Sequence, residues 1–172
     1  PMLQDLPPGW IHDPAARPAL AAMVEHELVF DALIRPGHLA DIGALADDWP
    51  SLAIVVDHGA KPSIATSGFE PWATPLRDLA DRPNVACKLS GLTTEAGASW
   101  APDDLAPYVR HLLDCFGPQR LLWGSDWPVL CLASDYSQWF RITAHLLSPL
   151  TQPQRSAIFG DNAARIYRIA PA

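Results

Sequence analysis

No run in this 172-residue sequence approaches the roughly 18 consecutive apolar residues that a membrane-spanning helix needs, so no transmembrane helix is expected. Cysteine is scarce. Cys87, Cys115 and Cys131 stand far apart, without CxxC or zinc-finger spacing. That pattern predicts reduced thiols and a cytoplasmic protein rather than a disulfide framework. The first residues lack the basic-then-apolar pattern of a secretory signal. Basic residues are few and scattered, 12 against 19 acidic ones, and the net charge of −7 argues against binding a nucleic-acid backbone. There is no glycine-rich phosphate loop and no dinucleotide fingerprint. Internal repeats and low-complexity tracts are absent as well.

What is present is a core. Hydrophobic residues make up 49% and charged residues 18%, a balance that suits one globular domain over residues 1–172 rather than a disordered chain. Four short apolar runs rich in branched and aromatic side chains predict buried strands at 28–34, 52–58, 85–90 and 120–126. Helical spacing predicts helices at 14–27, 39–48, 75–82, 102–115, 137–147, 152–159 and 162–169, with Pro18 in the first turn of the first. The segments 60–72 and 91–97 read as loops. Buried strands that each lead into a helix indicate βα units on a parallel sheet. The alternation alone leaves open whether that sheet is flat or closed.

Three of the strands end in polar residues where a loop begins: Asp57-His58-Gly59, Lys88-Leu89-Ser90-Gly91 and Gly124-Ser125-Asp126-Trp127-Pro128. Ligands of parallel α/β proteins bind at the carboxyl ends of the strands. Strand alternation would place His58 on the face of Ile54 and Val56, Lys88 on that of Ala86 and Ser90, and Asp126 on that of Leu122 and Gly124. All three polar side chains are then expected to close one end of the sheet over an apolar plug, with His58 and Asp126 side by side. The plainer readings are a hydrogen-bonded core histidine and a capping or turn aspartate. A serine hydrolase built on Ser125 and His58 lacks its motif, since G-x-S-x-G has no counterpart here.

The elements Val56-Asp57-His58-Gly59-Ala60-Lys61-Pro62, Cys87-Lys88-Leu89-Ser90-Gly91-Leu92, Leu122-Trp123-Gly124-Ser125-Asp126-Trp127-Pro128 and Ile158-Phe159-Gly160-Asp161-Asn162-Ala163-Ala164-Arg165-Ile166-Tyr167 occur in this order. Together they resemble the amidohydrolase-related family of (β/α)8 TIM-barrel hydrolases, nearest to its sugar-acid lactonase and pyrone-dicarboxylate lactonase branch. The resemblance implies strands five to eight of an α/β barrel, the C-terminal half, with residues 1–5 trailing from strand four. It implies a hydrolase that opens a lactone with water, His58 and Asp126 being catalytic. Asp126 would act as general base, and His58 would bind a metal or polarise the carbonyl.

In that family a His-x-His pair stands on the first strand, and none of the six histidines here forms one. Zinc, a possible cofactor held by His58 and Asp126, would therefore lack its usual third protein ligand. A typical barrel has about 250 residues. A small-molecule substrate is expected, together with self-association or a missing N-terminal half. The alternative is an inactive or split-barrel fragment that must associate with another chain, because open sheet edges favour association. Lys88 is a candidate for a substrate carboxylate or for an ion pair with Asp31 or Asp57. Gln4 is a candidate hydrogen-bonder to substrate, Trp127 lines the pocket or simply packs, and Thr93, Thr94 and Glu95 lie where specificity is commonly set.

Overall fold

The computed structural model describes residues 2–170. Its centre is a four-stranded parallel sheet in chain order: β1 (Val29–Ala32), β2 (Ala53–Val56), β3 (Val85–Leu89) and β4 (Leu121–Trp123). Side-chain alternation along the paired strands produces two unlike faces. Phe30, Ala32, Ile54, Val56, Val85, Cys87, Leu89 and Leu121 belong to the main core, shared with the helices α2 (Leu39–Asp48), α3 (Glu70–Ala80) and α5 (Pro102–Phe116). Val55, Ala86 and Leu122 form a second, smaller cluster on the opposite face, with Val29, Ala163, Ile166 and Tyr167. In the wall of the expected barrel the first, helix-covered face would be the outer one and the second the inner one.

The short C-terminal helix α8 (Asn162–Ile166) is moored beneath β4. The Asn162 side chain, 1% exposed, donates to the carbonyls of Pro118 (2.8 Å) and Leu121 (2.7 Å). From there Tyr167 reaches the inner face and hydrogen-bonds Asp31. Helix α1 (Arg17–Glu25) precedes β1, and α6 (Tyr136–Leu146) and α7 (Gln152–Ser156) follow β4. The Asp135 carboxylate caps α6 by accepting from Gln138 N at 2.8 Å.

Three expectations need correction. The strands at 52–58 and 120–126 stop early, at Val56 and Trp123, because the polar residues beyond them turn away from the ladder. Helix α3 starts at Glu70, well before Pro75. Pro75 forfeits one backbone hydrogen bond, but Trp72, Ala73, Leu76 and Leu79 form one buried face, and that burial outweighs the loss. Residues Leu92–Glu95, expected in a loop, form one helical turn, α4.

Of the residues trailing from strand four, Pro1 lies outside the described residues, and Met2 makes a single parallel bridge to Leu33 beside β1. Large exposed apolar side chains gather at the two margins of the sheet, with Trp10 and Leu28 near β1 and Trp127, Val129, Leu132, Tyr136 and Phe140 after β4. Among the described residues no helix is long and apolar enough to cross a membrane. Cys87, Cys115 and Cys131 are free thiols.

Candidate active site

The chain leaves β2 through a left-handed turn. His58, Gly59, Ala60 and Lys61 all have φ between 53° and 61°. For side chains other than glycine that conformation costs roughly 1–2 kcal/mol per residue, so the surroundings must hold it. The Lys61 amide donates to the His58 carbonyl at 2.9 Å. Trp72 Nε1 donates to the Gly59 carbonyl at 2.6 Å. Ala60 is fully buried, and Lys61 Nζ lies 2.6 Å from Glu95 on α4.

This turn overturns the alternation expected for His58. Ile54 and Val56 face the outer helices, yet the reversed φ at His58 swings its imidazole over the carboxyl ends of β3 and β4. Its Nδ1 lies 2.8 Å from Ser90 Oγ, and its Nε2 lies 3.6 Å from Asp126 Oδ1. Asp126 also has positive φ, 59°, and its side chain is 13% exposed against 17% for His58. Burial lowers the His58 pKa below its ordinary 6.5, although Asp126 and Asp57 pull the other way, so the neutral imidazole is favoured.

Gly91 completes the clamp. A Cβ there would lie 2.7–2.8 Å from Cβ, Cγ and Nδ1 of His58, and its φ is 63°. Gly91→Ala is therefore expected to push the imidazole off Asp126. A displacement near 1 Å costs about a hundredfold in rate, and the strained φ costs roughly 1–2 kcal/mol. Turnover and the urea midpoint, measured together, check this.

The other candidates separate. Lys88 lies near enough to His58 for its charge to disfavour the imidazolium. It stands on the inner face with its ammonium 2.7 Å from both Asp31 and Asp57, beside the Tyr167 ring. Burial works against its charge, but the hydrogen bond to Asp31 and the ion pair with Asp57 outweigh this and raise its pKa. Both ion pairs weighed from the sequence therefore form together.

The Gln4 amide follows Met2 along β1, donating to Leu33 O at 2.9 Å, and its side-chain Oε1 is buried without a partner. Trp127 is 69% exposed, so core packing does not explain it. Thr93 is buried with an unpartnered hydroxyl, Thr94 donates to Gly91 O at 2.9 Å, and Glu95 pairs with Lys61. Ser125 Oγ accepts from Trp127 N at 3.2 Å, while the two His58 nitrogens face Ser90 and Asp126, so no Ser125–His58 dyad is assembled.

Ser90 was not singled out from the sequence as a partner of His58. The signal available was a hydroxyl just past a strand end and next to a glycine. Among the described residues no group of three His, Cys, Asp or Glu side chains could hold a metal ion. His58 and Asp126 are two donors where a zinc site takes about three from protein, so the residues present do not by themselves fit a zinc ion.

The amidohydrolase family model matches residues 3–169. An L-fucono-1,5-lactonase of Burkholderia ambifaria is 49% identical over 98% of this chain and 60% of its own length. A crystal structure of an amidohydrolase from Burkholderia multivorans with bound zinc superposes with a TM-score of 0.94 at 34% identity, covering 99% of this chain and 63% of that one. A putative 2-pyrone-4,6-dicarboxylic acid hydrolase from Pseudomonas putida gives 0.77 at 25% identity, covering 99% and 62%. The chain thus spans about three-fifths of the length of these relatives.

Proposed function

The chain belongs to the amidohydrolase family, and on that premise we propose that it carries the acid–base part of a site that opens sugar-acid lactones with water. The observation behind this reading is the half-buried His58–Asp126 pair at the carboxyl end of a parallel sheet. Asp126 takes a proton from a water molecule as that water adds to the lactone carbonyl. The neutral His58 polarises the carbonyl oxygen. Collapse of the adduct breaks the ring C–O bond, and the departing alkoxide takes up the proton, leaving an open hydroxy acid. No step is assigned to zinc, because this chain supplies two of about three protein ligands. A metal here would need donors from beyond the described residues.

The charge at the site favours a neutral, hydroxyl-rich lactone over a dicarboxylate. Both lysines near it are already neutralised, Lys61 by Glu95 and Lys88 by Asp31 and Asp57. The exposed Trp127 would form the rim.

The exposed apolar margins of the sheet support a second point, that the wall is closed by further polypeptide. The assay should use the chain alone and the chain joined to the N-terminal part of the B. ambifaria lactonase. Hydrolysis of L-fucono-1,5-lactone by the joined form, with little turnover of 2-pyrone-4,6-dicarboxylate, is the expected result. The reverse preference, or no lactone opening by either form, would overturn the reading.

A further inference from the structure

His58 meets a charged group through one ring nitrogen and a hydroxyl through the other, and only the first, Asp126, enters the chemistry above. The hydroxyl is that of Ser90, which is 1% exposed and lies 2.8 Å from Nδ1. No second partner for Ser90 Oγ occurs among the described residues. A buried hydroxyl proton needs an acceptor, and the acceptor within reach is the Nδ1 lone pair.

If Ser90 donates there, the imidazole carries its own proton on Nε2. That N–H then faces the Asp126 carboxylate at 3.6 Å, the arrangement its charge favours. The opposite tautomer is doubly poor. It strands the Ser90 proton and turns the Nε2 lone pair toward a carboxylate oxygen. The ring has little room to evade this choice, since the Gly91 backbone lies against its Cβ, Cγ and Nδ1 side, and Ser90 is itself backed by Gly124.

We propose that Ser90 is a positioning residue, whose hydroxyl donates to Nδ1 of His58 and holds the imidazole in the Nε2–H tautomer beside Asp126. The consequence for turnover rests on the lactonase reading. An Nε2–H too far from Asp126 for a committed hydrogen bond remains available to an oxygen placed between them. It can then stabilise charge on the lactone carbonyl while Asp126 takes the proton of water.

Long-range ¹H–¹⁵N spectra of the 172-residue chain, labelled at histidine, read the tautomer directly, with His58 assigned by its loss in His58→Gln. The expected wild-type spectrum shows Nδ1 unprotonated but hydrogen-bonded and Nε2 protonated. Ser90→Ala should move Nδ1 further toward the position of a free unprotonated nitrogen, and Ser90→Thr should move it back. A protonated Nδ1 in the wild type overturns the proposal even if neither variant folds, and so does an Nδ1 signal unmoved by Ser90→Ala.

In the lactone-hydrolysing joined form, Ser90→Ala should lower kcat roughly ten- to hundredfold with KM little changed, as for other groups that orient a functional histidine. Unchanged kcat would overturn the positioning role. If that parent opens no lactone, the lactonase reading fails, while the nitrogen spectra still decide the role of Ser90.

Discussion

Asp126→Asn is expected to lower kcat on a sugar-acid lactone by roughly 10²–10⁴, the usual worth of a general base, while leaving KM and the melting temperature close to the parent's. The contrast in charge is clean because the shape is conserved. Asparagine keeps a side chain of the same size and tolerates the left-handed backbone that Asp126 occupies at φ 59°. It loses only the ability to accept the proton of water. Protonation of His58 cannot imitate the effect. Burial already lowers its pKa, and Asp126 is one of the charges pulling that value back up, so the substitution drives His58 further toward the neutral form. Steady-state kinetics of the joined form, with a thermal melt of both proteins, check this. Near-parental turnover in Asp126→Asn would mean that some other group removes the proton.

Trp72→Ala should destabilise the fold by about 3–5 kcal/mol, the range for deleting a buried large aromatic side chain. Trp72 is fully buried on α3 and stacks at 5.0–5.3 Å against Tyr108 and His111 of α5. Its indole N–H is also the donor to the Gly59 carbonyl, so the same side chain fills the core and holds the turn that aims His58. Trp72→Phe separates the two roles. Most of the ring volume survives, but a buried carbonyl loses its donor, for roughly 1–3 kcal/mol. Urea unfolding of the three proteins should rank wild type above Trp72→Phe and Trp72→Ala last. Activity should fall in Trp72→Phe too, because the left-handed residues would be free to relax. A Trp72→Phe protein with parental stability and turnover would show that the turn is held by its other contacts.

His111 shows how similar two histidines look in a sequence. Each lies within an apolar stretch, and the plainer reading weighed for His58, a hydrogen-bonded core histidine, is the one that fits its counterpart. His111 is of that kind. It is buried on α5, shares a hydrogen bond with the Ala73 carbonyl at 2.8 Å, and packs edge-on against Phe69 and at a tilt against Trp72. His58 differs because a strand delivers it to the end of the sheet, next to a carboxylate from a strand two places away.

The sequence by itself determined the four strands, the helices between them, their parallel order and the clustering of polar residues at one end. All of these depend on local spacing. Apolar runs of four to seven residues bury themselves, prolines and glycines stop them, and a helix after each strand forces parallel pairing. Only the tertiary structure decided which way His58 points, what Lys88 holds, and that Ser90 lies beside His58. Side-chain alternation is a property of extended backbone, and it ends where four consecutive residues turn left-handed. That turn is held by Trp72, Glu95 and the backbone beside Gly91, partners that lie 13 to 34 residues away and are invisible to any periodicity. Lys88 likewise meets Asp31 and Asp57 because register sets β1, β2 and β3 side by side, and two carboxylates at 2.7 Å hold an ammonium more firmly than an open cavity would.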